Sequence, residues 1–153
     1  MSDNEAQNAK QENLPPVMIH TQYIKDFSLE IPNAPEIFRE LTSAPRIDVQ
    51  VQVNAHHMHD NFHTVSLCYT LNGDINDKKL FILELEYSAV VSVDVPEEHL
   101  KSVLMVEIPR MMFPFVRSIV ANSMIDGGLP PIMLNPIDFA ALLNNREQNN
   151  KKQ

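Results

Sequence analysis

At 153 residues and 44% hydrophobic content the chain is long enough to bury one sizeable core. A formal net charge of −8 lacks the clustered Lys and Arg of a nucleic-acid binder and favours a basic partner instead. One cysteine, Cys68, excludes an internal disulfide, and three glycines, Gly73, Gly127 and Gly128, leave no phosphate-cradling GxxxxGK or GxGxxG turn, so a reducing compartment and no cofactor are expected.

Residues 1–13 are polar and carry Asp3, Glu5 and Glu12, unlike the positive start and apolar run of a signal peptide, and are read as a flexible tail. No stretch approaches the roughly 20 apolar residues that would span a bilayer, so no direct membrane insertion is expected. The first ordered segment, about 20–31, sets Phe27, Leu29 and Ile31 on one face and Asp26, Ser28 and Glu30 on the other, the period of a half-buried strand. Pro32-Asn33-Ala34-Pro35 breaks it, and 36–41 fits a single helical turn within a crossover loop, presenting Ile37, Phe38 and Leu41.

The segments 47–53 and 65–71 alternate cleanly and predict two more strands. Asn72-Gly73-Asp74 supplies turn chemistry, and the following run sets Phe81, Leu83, Leu85 and Tyr87 opposite Ile82, Glu84 and Glu86. After Pro96 the spacing becomes helical, with Leu100, Val103, Leu104, Phe113, Val116, Ile119, Val120 and Met124, and it ends at Gly127-Gly128. Pro109 and Pro114 are expected to divide or kink this region. A last helix is predicted over 136–145 with Pro near its first position, displaying Phe139, Leu142 and Leu143, followed by a second flexible tail over 146–153. Strands first and helices last predict a single α+β domain over 14–145, with helices on one face of a four-stranded antiparallel sheet. Asp26, Glu30, Glu84 and Glu86 then look to water from the other face.

Several long motifs, in order, resemble the SecB family of protein-export chaperones. They are Tyr23-Ile24-Lys25-Asp26-Phe27-Ser28-Leu29-Glu30, Pro32-Asn33-Ala34-Pro35, Pro109-Arg110-Met111-Met112-Phe113-Pro114-Phe115, Asp126-Gly127-Gly128-Leu129-Pro130-Pro131 and Asn135-Pro136-Ile137-Asp138-Phe139. The resemblance covers 17–143. It implies a Greek-key sheet, a homotetramer built as a dimer of dimers, and a cytoplasmic holdase that works without ATP on unfolded precursor proteins. It also implies delivery to the motor SecA, whose zinc-bearing C-terminal segment meets the positions matched here by Asp26, Glu30, Ile82 and Glu84. Solubility alone also accounts for carboxylates on a solvated sheet face.

Holding many unfolded chains requires broad apolar surface rather than a shaped polar pocket, and Phe38, Leu41, Phe81, Phe115, Leu142 and Leu143 are the candidates. Taken alone, an apolar residue of this kind is more often plain core. The chain departs from the family at Leu143, where an aromatic is common, and at Ile108-Pro109, where Cys-Pro is familiar.

Two other functional classes compete with this one. His57 and His59, with Asp60, lie on one side of an extended strand and suit a metal, although no HExxH spacing exists and exposed histidines need no ligand. Cys68 falls mid-strand among apolar neighbours, as an inert core thiol does, and no serine lies in a GxSxG elbow, so no enzyme is expected. Within the same fold, a chaperone for an antitoxin in a stress module is the nearer alternative.

Overall fold

The computed structural model describes residues 15–153, so the first expected tail lies outside the described residues. Four strands, β1 (Val17–Glu30), β2 (Arg46–His59), β3 (Phe62–Ile75) and β4 (Lys78–Val93), form one sheet in the order β1-β4-β3-β2, every pair antiparallel. Hairpins join β2 to β3 and β3 to β4, whereas the loop over 31–45 carries the chain from one sheet edge to the other. That connection makes the sheet a Greek key. A 3₁₀ turn, Glu36–Glu40, sits in the loop and buries Ile37, leaving Phe38 exposed.

Register turns the period-two pattern into two faces. Phe27 pairs with Leu85 and Leu29 with Leu83, and these continue into Tyr69 and Leu71 on β3 and Val51 and Val49 on β2. One residue out of phase run Asp26 with Glu86, Ser28 with Glu84 and Glu30 with Ile82. The first set carries the core, in which Leu67, Leu71, Phe81 and Leu83 are fully buried.

The strands are longer than their alternating cores, and the β3–β4 turn is not at Asn72-Gly73-Asp74. Those residues continue β3, and the chain reverses at Asn76-Asp77, with φ of 50° and 60°. A two-residue hairpin of type I′ needs positive φ at both central positions, which Asn and Asp tolerate best after glycine. Gly73 has another use. It pairs across the ladder with Phe81, whose ring occupies the space a Cβ would fill.

Helix α1 (Glu97–Ser102), a π-helical stretch (Val103–Glu107) and helix α2 (Ile108–Asp126) follow one another without a break, correcting the expected division at the prolines. Pro109 has no N–H to give a carbonyl four residues back, and the widened stretch directly before it accommodates that loss. Ile108, Met112, Val116, Val120 and Met124 recur at every fourth residue of α2, none more than 1% exposed, and seat the helix on the sheet. Gly127-Gly128 ends it as expected. The Leu129 N–H bonds the Met124 carbonyl and the Gly128 N–H bonds that of Ile125, a Schellman closure with Gly128 at φ 81°.

The last helix, α3 (Phe139–Lys151), begins later than predicted, because Asp138 caps it by accepting from the Ala141 N–H at 3.0 Å. It also continues through most of the stretch expected to be a second tail. Side chains on its later turns find partners on the body of the domain: Arg146 on β2, and Glu147 on Lys101.

Candidate functional site

Two surfaces stand out, one on each side of the sheet. On the face away from the helices, Asp26, Glu30, Ile82 and Glu84 come together on neighbouring strands. Glu30 lies directly opposite Ile82, Glu84 lies opposite Ser28, and Asp26 is two positions further along β1. Asp26, Glu30 and Glu84 are exposed and Ile82 is half-buried. Such neighbours project in parallel, so the carboxylates add to one negative field that reaches a basic partner before contact.

Glu86 completes the patch as the register partner of Asp26, and Lys25, in a β1 irregularity, reaches it at 3.6 Å. The alternation put Glu86 on this face, but the family positions did not include it. Cys68 is its partner on β3 and also lies on the polar face, half-buried rather than in the core. Burial and then the Glu86 carboxylate push its thiol up, which disfavours the nucleophilic thiolate.

On the other side, α3 leans over edge strand β2 and encloses an apolar groove of about 320 Å³. Leu142 and Leu143 line it with Val51, Val53, Met105 and Phe139, and Arg146 and Asn149 form its rim. A second hollow of about 440 Å³ adjoins it through Leu143 and Met105 and runs between α1 and Ala55. The groove meets the need for apolar lining with polar groups at the edge.

The remaining client candidates are elsewhere. Phe38 and Leu41 stay in the crossover loop, with the Phe38 ring facing Gly128 at the end of α2. Phe115 is 49% exposed on α2 and stacks on Tyr87 at a centroid distance of 6.4 Å. Phe81 is 0% exposed, which corrects its place among surface candidates: its ring fills the core over Gly73.

Residues 10–150 match the family model described as preprotein translocase subunit SecB. The chain belongs to the SecB family. It is 48% identical over 133 residues to the protein-export protein SecB of Rhodospirillum rubrum, covering 87% of this chain and 83% of that one. Against the SecB of Paramagnetospirillum magneticum it is 45% identical, covering 86% and 85% of the two chains. In fold it is similar to the Mycobacterium tuberculosis SecB-like chaperone solved with an antitoxin ChAD peptide, at a TM-score of 0.66, 14% identity, and coverage of 86% and 94%.

Within this SecB fold, the rim residues Arg146 and Asn149 went unseen in the sequence because polar composition read as a tail. The signal that finds them is the Asp138 cap, which starts a helix whose fourth and eighth positions are Leu142 and Arg146. The histidines also depart from the expected arrangement. A register irregularity between His57 and His59 breaks their common side: His57 pairs with His63, and the His59 ring packs at a tilt against Phe62, centroids 5.1 Å apart. Among the described residues no three His, Cys, Asp or Glu side chains gather as metal ligands, and His57, His59 and Asp60 do not form the expected set. No helix among them is long and apolar enough to cross a membrane.

Proposed function

We propose that this SecB-family chain is a cytoplasmic, ATP-independent holdase that keeps precursor proteins unfolded and hands them to SecA. The observation that carries the reading is the separation of the two surfaces: carboxylates in successive registers on one side of the sheet, and an apolar groove beside an edge strand on the other. An unfolded segment buries its apolar side chains in the groove, with backbone hydrogen bonds adding affinity that does not depend on sequence. A folded protein has already buried those segments and gains nothing there.

SecA docks through a basic segment on Asp26, Glu30, Ile82 and Glu84, with Glu86 strengthening the same field. Interaction of this kind sets association rate and register, and salt weakens it. Transfer of the client then draws on the motor's own cycle, and this chain does no chemistry.

The working unit is a homotetramer, a dimer of dimers. In support, α2 leaves Met111 54% and Phe115 49% exposed one turn apart, Phe115 stacks on Tyr87, and Tyr87 is the register partner of Ile24, 51% exposed on β1. Contiguous apolar side chains of this size suit a second copy of the chain. Several grooves in one assembly hold a long client by avidity, although each contact is weak. Relatives named for protein export, at 39–48% identity, favour export over antitoxin binding, whose representative is similar in fold alone.

The test is to dilute an aggregation-prone precursor from denaturant into the protein without nucleotide and follow light scattering. Scattering is suppressed if the reading holds. Unabated aggregation at excess protein would overturn it.

A further inference from the structure

Five of the six histidines, His20, His56, His57, His59 and His63, gather where β1 begins and β2 turns into β3, and the proposed function uses none of them. Two of them differ from the rest. His57 and His63 are direct register partners on adjacent strands, so their side chains leave the same face of the sheet. Their ring centroids are 5.0 Å apart with the planes at 66°.

Each ring is held at one nitrogen by a turn carbonyl. His57 Nε2 lies 2.8 Å from the Asp60 oxygen, and His63 Nδ1 lies 3.3 Å from the Asn61 oxygen. A carbonyl oxygen only accepts, so these nitrogens carry the protons in the neutral rings, and the lone pairs fall on His57 Nδ1 and His63 Nε2. Metal-bound histidines have this arrangement: one N–H tied to an oxygen, which fixes the tautomer and orients the ring, and the other nitrogen free to bind. The separation fits as well. Two imidazoles sharing a tetrahedral ion, each bonded at about 2.0 Å, hold their centroids about 5 Å apart.

We infer that His57 and His63 form a two-imidazole site for a borderline divalent transition ion, of the class of Ni²⁺, Cu²⁺ or Zn²⁺, with water completing the coordination. Neutral nitrogen donors suit these ions and not Mg²⁺ or Ca²⁺, which require oxygen. Two nearby histidines have other partners. His59 is turned toward the Asp60 carboxylate at 3.4 Å, and His20 toward Ser92 Oγ at 2.8 Å. Bound there, the ion bridges β2 and β3 beside their turn, so it stabilises the folded state.

The experiment titrates the full chain with Ni²⁺ by calorimetry, with Mg²⁺ as the control, and repeats it on His57→Ala, His63→Gln, His59→Ala and His56→Ala. One Ni²⁺ per chain is expected, with no Mg²⁺ heat and a higher melting temperature on binding. Affinity is expected to fall by roughly tenfold or more in His57→Ala and His63→Gln and to stay unchanged in the other two. His57 is exposed, so its variant keeps the test valid even if the buried His63 cannot be replaced. Unchanged binding in His57→Ala, or an equal loss in His59→Ala, would overturn the site, the latter by showing loose chelation along the hairpin tip.

Discussion

Arg146 Nη1 donates a 2.8 Å hydrogen bond to the Val53 carbonyl oxygen, tying the last helix to an edge strand of the sheet. Lys101 holds the neighbouring turn through Glu147 at 2.6 Å, and that contact keeps the Glu147 carboxyl below its usual range. Removing a charged donor from a carbonyl costs about 1–2 kcal/mol where the site is partly wet. Arg146→Ala is therefore expected to speed amide exchange in α3 and leave the central strands protected, as measured by hydrogen exchange. Unchanged protection across 139–151 would show that apolar packing alone holds the helix.

The Gly73–Phe81 pair predicts an overpacking cost. A methyl at Gly73 competes with the Phe81 ring, so Gly73→Ala is expected to destabilise by about 1–3 kcal/mol in urea unfolding. Phe81→Leu shortens the side chain at that point and should recover part of the loss in the double variant, as coupled neighbours do. Strictly additive effects would mean that the two side chains do not share the space.

Lys78 and Asn76 of the β3–β4 hairpin both donate to Glu40 in the crossover loop, and the Lys78 bond foremost holds its carboxyl below 4.5, the ordinary value. A carboxyl whose folded value is depressed contributes stability that is present above the unfolded value and lost as pH falls through the folded one. The clasp therefore acts at neutral pH and is released in acid, from about 4.5 downward. Glu40→Gln is expected to flatten this part of the melting temperature against pH curve. An identical acid limb in the variant would remove Glu40 from the account.

Charge reversal separates the two proposed surfaces. Glu84→Lys and Asp26→Lys are expected to weaken SecA binding by about tenfold or more at low salt while capture of unfolded client is kept. Leu142→Asn should do the opposite. Equal loss of both activities in any one variant would contradict the division of labour between the faces.

Much of the architecture was legible in the sequence because a strand with one wet face alternates: 47–53 and 65–71 do so without interruption, and 81–87 does so apart from Ile82. Glu84 and Glu86 follow from that phase, and Asp26 and Glu30 from the same period over 26–31. What escaped depends on contacts rather than on period. Asn72-Gly73-Asp74 has turn chemistry, yet Phe81 across the ladder needs Gly73 in the strand, and the reversal moves to Asn76-Asp77. Pro109 signals a helix break, yet a local widening absorbs the missing donor. Asn and Gln dominate 144–153 and read as a tail, whereas Arg146 and Glu147 have tertiary partners that composition does not reveal. Leu142 and Leu143 were recognisable as an apolar pair, but the groove they line also needs Val51 and Met105 from distant segments.

Selective retention of unfolded chains is read out by size-exclusion chromatography with mass detection. The protein is run alone, with a slow-folding precursor diluted from denaturant, and with the same precursor already folded. A species of about four times the 17.4 kDa chain is expected, co-eluting with the unfolded precursor and not with the folded one. A monomer that retains neither form, or an assembly that retains both equally, would contradict it.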